Sequence, residues 1–298
     1  MDKVRVSIVI VSYNCEAYLL NCLKSIMSSN LESSFEIIVV DNASTDGSQK
    51  FLSNHFSEVK LIQNRTNLGF GKANNQAAKS AKGEYLLFLN SDTTIINDSI
   101  NQLLHQAKEA KADIASCQLI NPDNTIQPQG GYLPNITTIA NWMLFLDDLP
   151  LIGQLFPSYQ MHHPSWFTKD RQGGWVAGTA MLVNRASFLK LAGFDEQIFM
   201  YAEDVDLCFR GNRNHLKICY FSQPKIFHYS HAGGDSTSAL LGEYRGLLYV
   251  LPKYLTPTQF SLVKLLLKLG AFLRVVLFGI IHKDDQKKAI YSKAYSMV

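Results

Sequence analysis

Over roughly the first 110 residues, short uninterrupted apolar runs alternate with segments whose apolar positions recur every three or four residues. Residues 4–11 (VRVSIVIV), 35–40 (FEIIVV), 59–62 and 84–89 (EYLLFL) predict strands buried on both faces. Residues 17–27, 46–56, 71–81 and 97–110 predict helices, the first through Leu19, Leu20, Leu23 and Ile26. This alternation predicts an α/β fold with a mainly parallel sheet flanked by helices. Ligands of such sheets lie outside the carboxyl ends of the strands. That rule brings forward three loops: Ser12-Tyr13-Asn14, the stretch from Asp41 to Gly47, and Asn90-Ser91-Asp92. Asp46 is equally well placed to cap the following helix, and Asp92 could serve a turn.

The pattern changes further on. Residues 121–165 are rich in Pro, Asn and Gly, which predicts a long, partly mobile segment. Residues 174–183 read as a strand with small residues that let a ligand approach the backbone. A helix over 204–212 and a strand over 217–221 follow. Residues 262–281 are apolar and long enough to span a bilayer, but Lys264, Lys268 and Arg274 interrupt them within about a third of the helical circumference. Charges at the bilayer centre are costly. The stretch therefore predicts an amphipathic helix lying in the membrane interface, with a core helix as the alternative.

Composition narrows the picture. The chain has 298 residues, 47% hydrophobic and 18% charged, which suits a globular fold. A net charge of +3, with the basic excess in the tail, points to an anionic membrane face and does not call for nucleic acid. Five cysteines without a CxxC pair signal neither a disulfide framework nor zinc. Buried thiols in a reducing compartment are expected. The charged opening followed by a short apolar run lacks a secretory pattern, so a cytoplasmic location is expected, peripheral on the inner membrane face. No GxGxxG follows the first strand, which argues against a dehydrogenase.

The motifs, taken in order, resemble glycosyltransferase family 2. They are Val6 to Asn14, Ile37 to Ser48, Asn67-Leu68-Gly69-Phe70-Gly71-Lys72-Ala73-Asn74-Asn75, Leu87 to Asp92, Trp175 to Met181, Gly193 to Glu196 and Tyr201 to Leu207. The closest flavour is the rhamnosyltransferase-like branch. The resemblance implies a GT-A fold, Rossmann-like, with C-terminal amphipathic helices appended. It divides the chain into a glycosyltransferase domain over 1–240, with a nucleotide-sugar half (1–119) and an acceptor half (120–240), and a membrane-associating extension over 241–298. It implies an inverting enzyme that moves a sugar from a UDP- or dTDP-sugar to a hydroxyl of a glycan or lipid-linked acceptor, in cell-surface polysaccharide synthesis.

Sugar transfer of this kind needs a divalent cation for the departing diphosphate and a carboxylate for the acceptor proton. Asp92 is the carboxylate suited to Mg²⁺ or Mn²⁺. By the resemblance, Asp41 contacts the base with Ser12 and Asn14 nearby, and Asp46 stands close to the nucleotide. The loop carrying Asn67, Gly69 and Asn74 closes over base and ribose, and Gly178 and Thr179 line the sugar or acceptor pocket. Asp204 is the general base beside Glu203, and His231, in a His-x-x-Gly-x-Ser pattern, is a second metal or diphosphate ligand with His228 as its rival. Asn90 replaces the first Asp of a full DXD motif and weakens the cation's hold. Asp41, Asp92 and Asp204 are expected to converge on one cleft. The competing readings are a nucleotidyltransferase, disfavoured by the absence of a basic phosphate loop after the first strand, and a non-catalytic nucleotide-sugar-binding protein of the same fold.

Overall fold

The computed structural model describes residues 4–230 and 236–298. In chain order the first half runs β1 (Val6–Ser12), α1 (Glu16–Ser28), β2 (Phe35–Asp41), α2 (Ser48–His55), β3 (Lys60–Gln63), α3 (Phe70–Ser80), β4 (Tyr85–Asn90), β5 (Thr93–Ile95), α4 (Ser99–Glu109) and β6 (Ile114–Ile120). The second half runs β7 (Ile126–Gln127), β8 (Gly130–Gly131), α5 (Ile136–Met143), β9 (Arg171–Gln172), β10 (Trp175–Val176), β11 (Ala180–Asn184), α6 (Arg185–Lys190), α7 (Glu203–Arg213) and β12 (Ile218–His228). Three helices close the chain: α8 (Ser236–Val250), α9 (Pro257–Val276) and α10 (Asp285–Met297).

Among the described residues the main sheet runs β3-β2-β1-β4-β11-β6-β12-β5. Its first four strands are mutually parallel, β11 is antiparallel to both neighbours, and β12 runs parallel to β6. The burial on both faces expected of β1 is literal. Ile8 and Ile10 pack with Leu19, Leu23 and Leu103 of α1 and α4, whereas Val9 packs on the other face with Ala73 and Ala77 of α3. Each such aliphatic side chain contributes about 1.5–3 kcal/mol on burial. The first four strands and their helices therefore lie where the apolar runs place them. In register, Ser12 pairs Asp41 and Val11 pairs Asn90, so the three polar loops leave the sheet side by side.

The later chain departs from its sequence pattern. Strand β12 extends to His228, past a register shift between Phe221 and Lys225. Pro224 sits in that shift, and it broke the apolar run at which the strand had been expected to end. Residues 121–165 are built into the body and do not form the partly mobile segment expected. Asn135 and Thr138 make a reciprocal capping box at the start of α5, and Trp142, Met143, Tyr159 and Met161 are buried. All five cysteines are free and buried.

The tail needs a sharper correction. Arg274 does not share a solvent-facing basic stripe with Lys264 and Lys268. It is 6% exposed and donates to the carbonyls of Trp142 (2.9 Å) and Met143 (3.0 Å), occupying the open C-terminal end of α5. Only a long multidentate donor can reach those carbonyls from a neighbouring helix. Gly270 permits the crossing, because a Cβ there would lie 2.4 Å from Met143 Sδ. Val263, Leu267 and Ala271 are buried on the same side of α9. The opposite side exposes Leu262, Leu265, Leu269 and Phe272. Among the described residues no helix is long and apolar enough to cross a membrane.

Candidate active site

A cavity of about 640 Å³ opens at the carboxyl ends of the strands. One wall comes from Tyr13, Asn42, Asn67, Phe70, Asn90, Ser91 and His228, whose Nε2 lies 3.4 Å from Asn90 Nδ2, and the other from Gly178, Thr179, Glu203, Asp204 and Glu243. Asn42 organises the first wall. Its Nδ2 donates to Asn67 Oδ1 and to the Gly69 carbonyl (both 3.2 Å), and its Oδ1 accepts from Asn64 Nδ2 (2.9 Å). Gly69 has φ +82°, and a Cβ there would stand 2.2 Å from the Phe199 carbonyl, which accepts from the Phe70 amide at 2.9 Å. Glycine is what allows the 67–70 loop to close against that carbonyl.

Asp41 is fully buried behind Asn42. Its Oδ1 accepts from the Ser44 amide (2.9 Å) and Gln49 Nε2 (2.6 Å), while its buried Oδ2 accepts no hydrogen bond among the described residues. Asn14 and Asp46 fasten two loops to each other. Asn14 Oδ1 accepts from the Thr45 amide, and Asp46 accepts from the amides of Glu16 and Ser48 and from the Ser48 hydroxyl. Partial burial would push the Asp46 carboxyl up, but these bonds outweigh it and hold it below the ordinary value.

Asp92 is also buried, and Nε2 of His228 lies 3.3 Å from its Oδ1. Nδ1 of His228 lies 2.6 Å from Gln127 Oε1. The Gln127 amide is itself oriented, since its Nε2 donates to Asn121 Oδ1 at 2.8 Å. In the tautomer with its proton on Nδ1, toward the Gln127 oxygen, the Nε2 lone pair faces Asp92 and Asn90, the usual preparation of a ligating imidazole. The 3.3 Å spacing suits neighbouring ligands on a divalent ion bound at about 2.1 Å. One carboxylate oxygen and one imidazole nitrogen fit Mn²⁺ or Mg²⁺ completed by diphosphate oxygens. Were the imidazole doubly protonated, the same contact would be an ion pair.

The opposite wall is built at the start of α7. Tyr201 and Ala202 both have positive φ (71° and 72°), so the chain turns sharply into the helix. Asp204 Oδ2 accepts from the Gly178 amide (2.9 Å) and Oδ1 from the Val205 amide (2.8 Å). Glu203 is 6% exposed, and its Oε2 accepts no hydrogen bond among the described residues. Burial, then the charge of Asp204, pushes the Glu203 carboxyl up to about 8. Burial also raises Asp204, but its two backbone donors oppose the rise. The environment therefore separates the pair into a protonated Glu203 and an amide-held Asp204.

The expected site residues thus divide. Asn67, Gly178, Thr179, Glu203 and Asp204 line the cavity, while Asp41 and Asp92 stand buried behind Asn42 and beside His228. Ser12 is buried with its hydroxyl 3.3 Å from Cys15 Sγ. Asn74 is turned into its own helix, donating to the Phe70 carbonyl. His231, with Gly234, lies outside the described residues, and the imidazole placed beside Asp92 is His228. Wall residues not anticipated include Glu243 of α8, which accepts from Gln160 Nε2, Gln129, which accepts from the Thr179 hydroxyl (2.7 Å), and Tyr13. Tyr13 sat inside a flagged loop, but Glu243 belongs to no motif and only packing reveals it.

Comparison with known proteins follows this geometry. Residues 7–151 match glycosyl transferase family 2. An N-acetylglucosaminyl-diphospho-decaprenol L-rhamnosyltransferase of Mycobacterium tuberculosis is 27% identical over 265 residues, covering 82% of each chain. The rhamnosyltransferase WbbL of Escherichia coli is 26% identical, covering 76% of this chain and 84% of its own. The structure of Staphylococcus aureus TarS residues 1–349 in complex with UDP-GlcNAc shares the fold, with a TM-score of 0.59 at 18% identity over 97% of this chain and 79% of that one. The sheet is accordingly of the GT-A type. Residues 7–151 thus form a glycosyl transferase family 2 domain, and the chain is a rhamnosyltransferase-like glycosyltransferase.

Proposed function

We propose that this enzyme transfers a sugar, with inversion, from a UDP- or dTDP-sugar to a hydroxyl of a glycan or lipid-linked acceptor in cell-surface polysaccharide synthesis. The observation that carries the reading is the single cavity with Asn90 and His228 at one side and Asp204 at the other. Asp41 serves the base, with its Oδ2 still lacking a partner among the described residues, and the Asn42–Asn67 pair shapes the base and ribose end. Asp92 and His228 would hold the cation, which, when bound, neutralises charge on the departing diphosphate. Asp204, steadied by the Gly178 and Val205 amides, accepts the proton as the acceptor oxygen attacks. Glu203, kept protonated by burial, donates a hydrogen bond to acceptor or sugar oxygen.

Two further assignments belong to this reading. Residues 1–119 form the nucleotide half, 120–240 the acceptor half and 241–298 the membrane-associating part. The exposed Leu262, Leu265, Leu269 and Phe272, flanked by Lys264 and Lys268, suit the interface of an anionic membrane at its cytoplasmic side. The test is product analysis with UDP- and dTDP-sugars, with and without EDTA. Acceptor-dependent release of nucleoside diphosphate that EDTA abolishes supports the reading. Release of pyrophosphate instead would assign a nucleotidyltransferase, and absence of turnover across donors and acceptors would favour a binding protein.

A further inference from the structure

We propose that Asp147, Asp148 and His162 form a second divalent-cation site, for a transition ion such as Zn²⁺ or Mn²⁺, separate from Asp92 and His228. One ligand atom from each residue lies within 4.8 Å of the other two. Nδ1 of His162 is 3.7 Å from Asp147 Oδ2 and 3.7 Å from Asp148 Oδ1. A contraction of a few tenths of an ångström brings each of these two pairs to the separation of tetrahedral ligands bound at about 2.1 Å.

An acidic cluster alone would not carry this. The decisive group is Asp147, whose side chain is 1% exposed while neither oxygen accepts a hydrogen bond of ordinary geometry among the described residues, the nearby Ser158 hydroxyl included. A buried carboxylate without hydrogen bonds is costly, and such groups are ordinarily paired or coordinate a metal. Its Oδ2 is the atom nearest the imidazole. Asp148 and His162 are exposed, so an ion can enter from solvent. The turn is also shaped for the purpose. Gly153 folds back over Asp147, where a Cβ would stand 2.3 Å from the Asp147 carbonyl. The nearby positive charge of Arg274 is already committed to the carbonyls of α5. Two carboxylates with one imidazole favour Zn²⁺ or Mn²⁺ over Ca²⁺. A bound ion would tie the turn after α5 to the segment that carries Gln160 into the cavity. The alternative occupant is a proton. Metal and proton compete for the same ligand atoms, so binding should weaken as pH falls.

The test uses the full chain, stripped with EDTA, without nucleotide, and carrying His228→Gln to silence the other site. Zn²⁺ alone is titrated by equilibrium dialysis, with thermal unfolding as a second readout. The proposal expects one equivalent bound and a higher Tm. Adding His162→Gln, at a half-exposed position, or Asp147→Asn should weaken binding at least tenfold and remove the Tm shift, whereas His163→Gln, at its exposed neighbour, should leave both intact. No binding on the His228→Gln background, or equal binding with and without His162→Gln, overturns the proposal. Should Asp147→Asn fail to fold, the His162→Gln result decides alone.

Discussion

Nε2 of His228 faces Asp92 Oδ1 across 3.3 Å while its other nitrogen is held at 2.6 Å by Gln127. The pair comes from opposite ends of the chain's pattern. Asp92 follows a strand that the apolar runs announce, and His228 ends one that they cut short. If the pair is a cation site, the outer partner matters. Gln127→Leu should raise the Mn²⁺ concentration for half-maximal turnover about 10–100-fold while leaving the fold intact. An unchanged Mn²⁺ requirement would make the contact an ion pair and nothing more.

Glu203 should leave a signature in stability against pH. Its carboxyl is raised in the folded protein, from 4.5 toward about 8. At pH below the unfolded value both states hold the proton. As pH rises, the unfolded chain releases it first, so this group's contribution is lost progressively through about pH 8. Glu203→Gln should therefore flatten the decline of Tm between pH 5 and 8. Parallel Tm profiles for the two proteins would show that Glu203 ionises normally in the fold.

Arg274 tests how the tail is attached. Replacing it with Met removes the donors to Trp142 and Met143 and leaves buried carbonyls unpaired. A cost on the order of 1–3 kcal/mol follows, seen as a lower midpoint in urea. An unchanged midpoint would mean that α9 does not hold α5 in solution.

The outer side of the same helix should behave in the opposite way. Leu265 and Leu269 are 62% and 42% exposed, so Leu265→Glu with Leu269→Glu should cost little stability. Co-sedimentation with anionic vesicles should fall sharply. Vesicle binding that survives both substitutions would move the membrane contact elsewhere, with the exposed Leu151 and Leu155 of the turn after α5 the next surface to test.

The first part of the chain was legible because β1, β2 and β4 are largely buried on both faces, so apolar composition alone marks them, while the edge strand β3 shows only through Leu61 and Ile62. The loops after them were legible for the same reason: polar residues immediately follow fully apolar ones at Ser12, Asp41 and Asn90. The later strands were less so. Strand β6 includes Ser116, Cys117 and Gln118, whose polar members are satisfied inside the core, as where Ser116 donates to the Ala180 carbonyl at 2.8 Å. Such long-range satisfaction leaves no periodic trace. Glu243 was hidden likewise, since its partner Gln160 is distant in sequence, and His228 was legible only as the rival of His231. The tail misled because three basic residues at helical spacing read as one surface, while the fold uses one of them as an internal cap.

The central claim is that donor and acceptor meet between His228 with Asp92 and the carboxylate of Asp204. The direct measurement is single-turnover release of nucleoside diphosphate with acceptor present, alongside titration of the same nucleotide with Mn²⁺. Asp204→Asn should bind nucleotide as the native protein does yet release it at least about 100-fold more slowly, with Glu203→Gln far less affected. Near-native release by Asp204→Asn, or a loss confined to Glu203→Gln, would contradict the assignment of the base.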